Sequence, residues 1–328
     1  MAGAPLTPHP MEISQSRWNP RHLAIAIALA AAGYLGVALW GGWNEMVAAS
    51  RRVGVTGICA ALALSLLNYC LRFVRWQLYL DALGHRIASR VSAPIYFGGF
   101  ALTVTPGKAG EMMRSVLLKK HGVPYAHSIA AFMSERLSDL LAIVLLALCG
   151  LYTYPRASLA VLAGAGIGVV ALVFLSRRAL PRAGVRTSPW LSNGRIGKFI
   201  QQAHAMLRAA SQCHTPTLLW QSGVLSVLAW SAEAVAFFFI LRWLGVDVQL
   251  EFAVFVYAAS ILAGVITLLP GGLGGTEAVM IALLVGQGIP PGTAAAATML
   301  IRLTTLWFAV GLGAVALALQ KSDRAKVQ

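Results

Sequence analysis

Charge is scarce in this sequence. Only 11% of its 328 residues are Asp, Glu, Lys or Arg, against about 25% in ordinary soluble domains, which excludes a soluble globular enzyme. Acidic residues are the rarer kind, 11 against 26 Lys and Arg, leaving a formal charge of +15. Cysteine is sparse too: Cys59, Cys70, Cys149 and Cys213 show no C-x-x-C spacing, so neither a disulfide framework nor a metal site is indicated. The 7 histidines are scattered without ligand spacing, and H-E-x-x-H, G-x-S-x-G, Walker and D-x-D motifs are all missing. The hydrolytic and nucleotide chemistries built on those motifs drop out. No catalytic residue, cofactor or enzymatic activity is expected.

What the chain has instead is apolar length. Hydrophobic residues make up 58% of it, with 32 glycines and a mean hydropathy of +0.72. Several runs approach the roughly 20 apolar residues that a helix needs to cross a hydrocarbon core. These runs are continuous and do not alternate, which argues against a β-barrel. The pattern predicts an all-α polytopic membrane protein with full crossings near 23–40, 53–80, 128–152, 157–176, 217–241 and 293–320. The first run exceeds a signal-peptide core and reads as a retained helix. Residues 1–20, with Pro5, Pro8, Pro10 and Pro20, read as a disordered tail.

Two further apolar segments, 91–120 and 252–288, are interrupted by proline and glycine. The first contains Thr105-Pro106-Gly107-Lys108-Ala109-Gly110-Glu111, and the second Pro270-Gly271-Gly272-Leu273-Gly274-Gly275-Thr276-Glu277. The arm from Val91 to the first break spans about 22 Å at 1.5 Å per residue, too short for a core of ~30 Å. Proline disfavours helix before it, so each segment reads as a re-entrant helical hairpin with its loop at membrane depth. The basic residues then sort by side, 16 of 26 inside and four outside, which puts both termini in the cytoplasm. The basic excess is thereby a product of topology, and nucleic acid is not an expected partner.

Each half holds a Pro-Gly break, a Glu, and an Arg 25 residues later: Glu111 to Arg136, and Glu277 to Arg302. An inverted repeat is the expected organisation. It comprises a first membrane repeat over 21–152, a connector helix and basic cytoplasmic loop over 153–216, a second repeat over 217–320, and a tail over 321–328.

Ionisable side chains inside apolar helices cost roughly 2.5–3.5 kcal/mol each and face a partner or a polar cavity. Glu135, Arg136 and Asp139 share one helix and are spaced to pair, while Arg302 has no acid on its own helix and needs one from elsewhere. Glu277 and Glu111 are the expected partners of Arg302 and Arg136. Two readings stand side by side: ion pairs that only pin the loops, or a polar lining for a headgroup. The backbone N–H groups around Gly107, Gly110, Gly271, Gly272, Gly274 and Gly275, with Lys108 and Arg114 nearby, suit an anion such as a phosphate diester. Arg72 and Arg75 read as snorkelling anchors beside Trp76. Glu233 has no sequence-local partner. Residues 195–208 fit either an amphipathic helix on the anionic leaflet or a solvated loop.

The T-P-G-K-A-G-E stretch, the E-R-L-S-D-L-L after it, and the later L-P-G-G-L-G-G-T-E and R-L-T-T-L-W resemble the lysylphosphatidylglycerol synthase transmembrane region family, the flippase-like part of multiple peptide resistance factor. The resemblance implies an inner-membrane translocator of a phospholipid or an isoprenoid- or hopanoid-related lipid. It points to Pro106, Gly107, Lys108, Gly110, Glu111, Glu135, Arg136, Asp139, Pro270, Gly271, Gly272, Gly274, Gly275, Glu277 and Arg302. The resistance factor also carries a soluble synthase domain, which is not expected here because this chain stops at Gln328. Anionic phospholipid is the expected partner, and a homo-oligomer is compatible with the sequence. A small-solute secondary transporter, a lipid-modifying enzyme and a non-catalytic partner of a lipid pathway are the competing readings.

Overall fold

The computed structural model describes residues 43–104, 111–150, 166, 170, 195–267 and 269–325. The expected span 23–40, the span 157–176 apart from residues 166 and 170, the N-terminal tail and the break bearing Pro106, Gly107, Lys108 and Gly110 lie outside these residues. All regular structure described is helical: α1 (Trp43–Ala82), α2 (Ser89–Gly98), a 3-10 turn (Gly99–Leu102), α3 (Met113–Lys119), α4 (Tyr125–Leu148), α5 (Arg195–Gln212), α6 (Pro216–Trp243), α7 (Leu250–Ile266), a second 3-10 turn (Pro270–Gly272), α8 (Gly275–Gly286), α9 (Pro291–Arg302), a π-helical stretch (Leu303–Trp307) and α10 (Phe308–Ala325). Among the described residues, three stretches are long and apolar enough to cross a membrane: Glu45–Ala82, Pro216–Trp243 and Pro291–Gln320. α4 is also long enough, about 36 Å for its helix at 1.5 Å per residue, but it carries three charges.

Local signals set the boundaries. At α6, the Thr215 hydroxyl accepts from the Leu218 amide and Pro216 occupies the first turn, where its missing N–H removes a group that would have had no helical partner. The helix stops where Gly245 turns to φ 82°, letting the Val246 amide reach back to the Leu241 carbonyl.

Pairing between helices is regular. α1 lies along α6, α4 packs on α7, and α10 packs on α2 and the first 3-10 turn. The order helix, helix, 3-10 turn, short helix, long helix therefore recurs, and the long closing helix of each half packs on the opening arm of the other half's interrupted segment. Close contacts sort the ends: Gly57 meets Trp243, Gly292 meets Glu45 and Gly150 meets Phe255 at one end, while Gly98 meets Leu317 at the other. Two cores result. One gathers Phe237, Phe255, Val256 and Ala297, and the other is aromatic, around Tyr69, Trp76, Tyr79, Tyr96 and Phe100.

The segment after α6 forms a helical hairpin. α7 has 17 residues and α8 has 12, lengths of about 25 and 18 Å that fall short of a ~30 Å hydrocarbon core. They pack on one another across Gly264, where a Cβ would lie 2.0 Å from the Thr276 hydroxyl. Between them Gly271 and Gly274 take φ 63° and 84°, a region that only glycine enters without strain. The amphipathic segment is a helix, α5, and it packs against α4 with Ala209, Ala210 and Cys213 buried.

Two expectations follow. Gly264→Ala should lose about 1–3 kcal/mol by overpacking, read as a lower melting temperature in detergent, with partial recovery in the Gly264→Ala, Thr276→Gly double variant. His214, buried between α5 and α6, donates from Nδ1 to the Ala210 carbonyl at 2.6 Å, and burial lowers its pKa below 6.5. The unfolded chain therefore binds the extra proton first, so stability should fall as pH drops through about 6.5. His214→Gln should flatten that part of the pH profile of the melting temperature.

Candidate functional site

One face of α1 carries Ser65, Asn68, Tyr69, Arg72, Arg75, Trp76 and Tyr79, at three- and four-residue spacing, and all are buried. The opposite face, with Leu66, Leu67 and Val74, is exposed. This corrects the expectation for Arg72 and Arg75. They do not snorkel: Arg75 is 0% exposed, and both point across to α4. Arg75 Nη1 donates to Asp139 Oδ1 at 2.8 Å and to the Ser226 hydroxyl at 2.5 Å. Its Nη2 lies 3.6 Å from Glu135 Oε1, and Arg72 Nη2 lies 3.3 Å from Asp139 Oδ2. The reason is complementarity: two carboxylates one turn apart on α4 need cations, and α1 supplies them at matching spacing.

Arg114 completes this cluster. It bridges Glu111 Oε2 at 3.0 Å and Glu135 Oε2 at 3.1 Å, and its guanidinium sits 4.2 Å from the Tyr96 ring centre, a cation–π arrangement. Tyr96 and Trp230 donate to Glu135 and Asp139. Arg136 is held differently. Its Nη2 stands 3.5 Å from both Glu111 and Asp139, close enough for attraction, yet neither Nε nor Nη2 has a hydrogen-bond partner among the described residues. At 22%, its side chain is the most exposed in the cluster.

The second ion pair is tight. Arg302 Nε donates to Glu277 Oε1 at 2.6 Å and its Nη2 to the Gly271 carbonyl at 2.8 Å. Glu277 Oε2 accepts from the Gly274 amide at 2.7 Å, capping α8. Arg302 thus ties the glycine turn to α9. The π-helical stretch follows it directly, and Tyr69 donates to the Thr305 carbonyl there at 2.5 Å. Both expected Glu–Arg pairs are in contact, although Arg114 is the nearer partner of Glu111.

These groups surround a cavity of about 590 Å³. Its charged lining residues are Arg72, Arg136, Arg302, Glu111, Asp139 and Glu233, and its apolar ones include Met133, Leu140, Met206, Ile261, Val265 and Leu306. Of the expected headgroup residues, Glu111, Arg136, Asp139 and Arg302 reach the cavity, as do Gly271 and Gly272 of the turn. Arg114 and Glu135 form the network behind the wall, and Glu277 backs Arg302. Sequence reasoning missed Arg72, Tyr69 and the Glu233–Tyr257 hydrogen bond of 2.5 Å. For α1, the 3–4 spacing of polar residues inside an apolar run is the signal that finds them.

The family model of the lysylphosphatidylglycerol synthase transmembrane region matches residues 23–313. The chain belongs to this family. A UPF0104 membrane protein of Methanothermobacter thermautotrophicus is 27% identical over 90% of this chain and 94% of its own length. Another from Pyrococcus horikoshii is 24% identical over 84% of the chain and 90% of its own length. The glycosyltransferase AglD of Haloferax volcanii is 25% identical over 74% of the chain, which spans 45% of that protein. As a family member the chain is a multi-pass membrane protein, with several apolar helices.

The two arginines should separate on substitution. A single ammonium cannot satisfy Glu277 and the Gly271 carbonyl together as the guanidinium fork does. Arg302→Lys should therefore lose about 1–3 kcal/mol, while Arg136→Lys should melt close to wild type. Thermal unfolding of both in detergent checks this.

Proposed function

We propose that the protein translocates a phosphate-headed lipid between the leaflets of the inner membrane, acting as a flippase or scramblase without catalysing a covalent reaction. The observation that carries the reading is that guanidinium and carboxylate groups line the same cavity as many aliphatic side chains. An amphiphile carries both kinds of surface. Arg136, the most exposed charged side chain of the cluster and a lining residue of the cavity, is the group best placed to take a phosphate, because its planar fork matches two phosphate oxygens. Arg72 and Arg302 add positive charge to the same lining.

The topology proposed with it has six full crossings and two re-entrant hairpins related as an inverted repeat, both termini being cytoplasmic. Recurrence of the element order in the two halves, and the reciprocal packing of α4 on α7 and of α10 on α2, support the repeat. Charge supports the orientation: Arg86, Arg90, Lys119 and Lys120 belong to one end, and Arg51, Arg52 and Arg242 to the other. In a cysteine-free background, a cysteine at Arg86 should react with an impermeant maleimide only from the cytoplasm, and one at Arg242 only from outside. Reversed labelling would overturn the orientation.

Function is tested in vesicles carrying headgroup-labelled lipids, with quenching restricted to the outer leaflet. Wild type should exchange labelled phosphatidylglycerol, and Arg136→Lys should be slower by roughly tenfold or more at equal folded protein. Exchange of diacylglycerol should be the same with and without protein. Phosphatidylglycerol exchange no faster than in protein-free vesicles would sink the reading and favour a partner role in a lipid pathway.

A further inference from the structure

Polar contacts close the seam between α1 and α4 at three levels. Arg72 and Arg75 meet Asp139 in the ionic network, the Tyr79 hydroxyl meets that of Ser138 at 2.6 Å one turn further along, and His85 meets His127 at the end of the bundle. His85 belongs to the turn that stops α1: Gly84 takes φ 82°, and the His85 amide reaches back to the Leu80 carbonyl at 2.9 Å. His127 stands in the first turn of α4. Leu83 and Val123, buried in one core, bring the two turns together. The corner between α1 and α2 is braced as a unit, because Gln77 donates to the Ile87 carbonyl at 3.2 Å and accepts from the Ser92 hydroxyl at 2.8 Å.

His85 Nε2 and His127 Nδ1 are 2.8 Å apart, and the half-buried rings are inclined at 56° and do not stack. Two ring nitrogens make this contact when one carries a hydrogen and the other a lone pair. The neutral pair meets that condition, and so does a pair with one extra proton, whose bond is charge-assisted. A second extra proton turns both nitrogens into donors and sets two like charges side by side. Burial, and then the neighbouring His85, lower the pKa of His127, which stands ahead of the span 128–152. The surroundings act in the same sense. Asp81 of α1 is the carboxylate at this end among the described residues, whereas Arg86 and Arg90 flank the start of α2 and Lys119, Lys120 and His121 end α3. Tyr125 of α4 lies 4.5 Å beneath the Lys119 ammonium, and α5, packed on α4, brings His204 and Arg208, followed by Cys213 and His214. Cations prevail, which disfavours a further positive charge.

We propose that the His85–His127 pair is a pH-sensitive clip, which holds the corner between α1 and α2 against α4 while it carries at most one extra proton and releases it when a second proton binds below about pH 6. Of the described contacts along the seam, this is the one between groups that ordinarily titrate between pH 5 and 8. The two helices it joins line the cavity with Tyr69 and Arg72 and with Arg136 and Asp139, so release loosens that lining from this end. Nothing in the clip depends on what the cavity carries. The unfolded chain takes the second proton more readily than the folded one, so the stability that the pair contributes is lost as pH falls below about 6.5.

The test places spin labels on cysteines at Arg90 and Tyr125, in a cysteine-free background, and measures their separation in detergent at pH 7.5 and pH 5. With both histidines present, the distance distribution should be narrow at pH 7.5 and longer and broader at pH 5. His85→Ala should be broad at both, and His121→Ala, which removes a neighbouring histidine outside the pair, should keep the pH response. One distribution at both pH values with the pair intact, or the same pH response in His85→Ala, would overturn the clip. Thermal unfolding gives a second reading that needs no label. His127→Ala should lower the melting temperature by about 2–4 °C at pH 7.5 and leave it unchanged at pH 5. Equal losses at the two pH values, or no loss at pH 7.5, would also overturn it.

Discussion

Charge compensation inside an apolar envelope is the constraint on which this architecture depends. A guanidinium in the centre of a membrane span is tolerated only with a counter-ion and satisfied donors. Here those counter-ions come from other helices: Arg72 and Arg75 of α1 find theirs on α4, and Arg302 of α9 finds its own on α8. Each ion pair is therefore also a tertiary contact. Apolar surfaces alone would leave the helices with little preference for one arrangement in lipid, where burial between helices gains nothing over burial in acyl chains. The ionic network fixes which helix lies beside which, and at what height.

The glycine turn between α7 and α8 meets a second version of the same problem. Its backbone groups leave the helical ladder and need partners from elsewhere. The Gly271 carbonyl is met by Arg302 and the Gly274 amide by Glu277, so one side-chain pair satisfies both strands of the turn. Pinning a loop and lining a cavity are consequently not alternatives at Arg302. The same residue does both, while Arg136 is less tightly held, its Nη2 standing 3.5 Å from both Glu111 and Asp139.

Much of this was legible in the sequence. The helical class, the interrupted segment 252–288 and the Glu277–Arg302 contact follow from apolar runs, from Pro-Gly breaks and from an intramembrane arginine that has to find an acid. Arg72 and Arg75 were misread because a position near the end of a span suits an anchor as well as a buried ion. Only the neighbouring helix decides between them, and sequence separation of more than 60 residues hides that neighbour. Glu233 was opaque for the same reason, since Tyr257 lies on a different helix. The fate of α5 also depended on tertiary contact: its amphipathic face suits a lipid surface and a bundle surface equally, and α4 is what it meets.

The π-helical stretch after Arg302 has a further consequence for how one chain segment serves two surroundings. A π turn carries one residue more than an α turn, so the faces presented before and after it are rotated relative to an unbroken α-helix. α9 turns its buried face, with Ala294, Ala297 and Ile301, toward α1, α6 and α8, whereas α10 turns toward α2 and the first 3-10 turn. A regular helix would have to keep one phase for both. The added residue works as a phase shifter, and the Tyr69 hydroxyl secures the Thr305 carbonyl within it. Two differently oriented packing surfaces are in this way built into a single span, with no loop exposed to lipid between them.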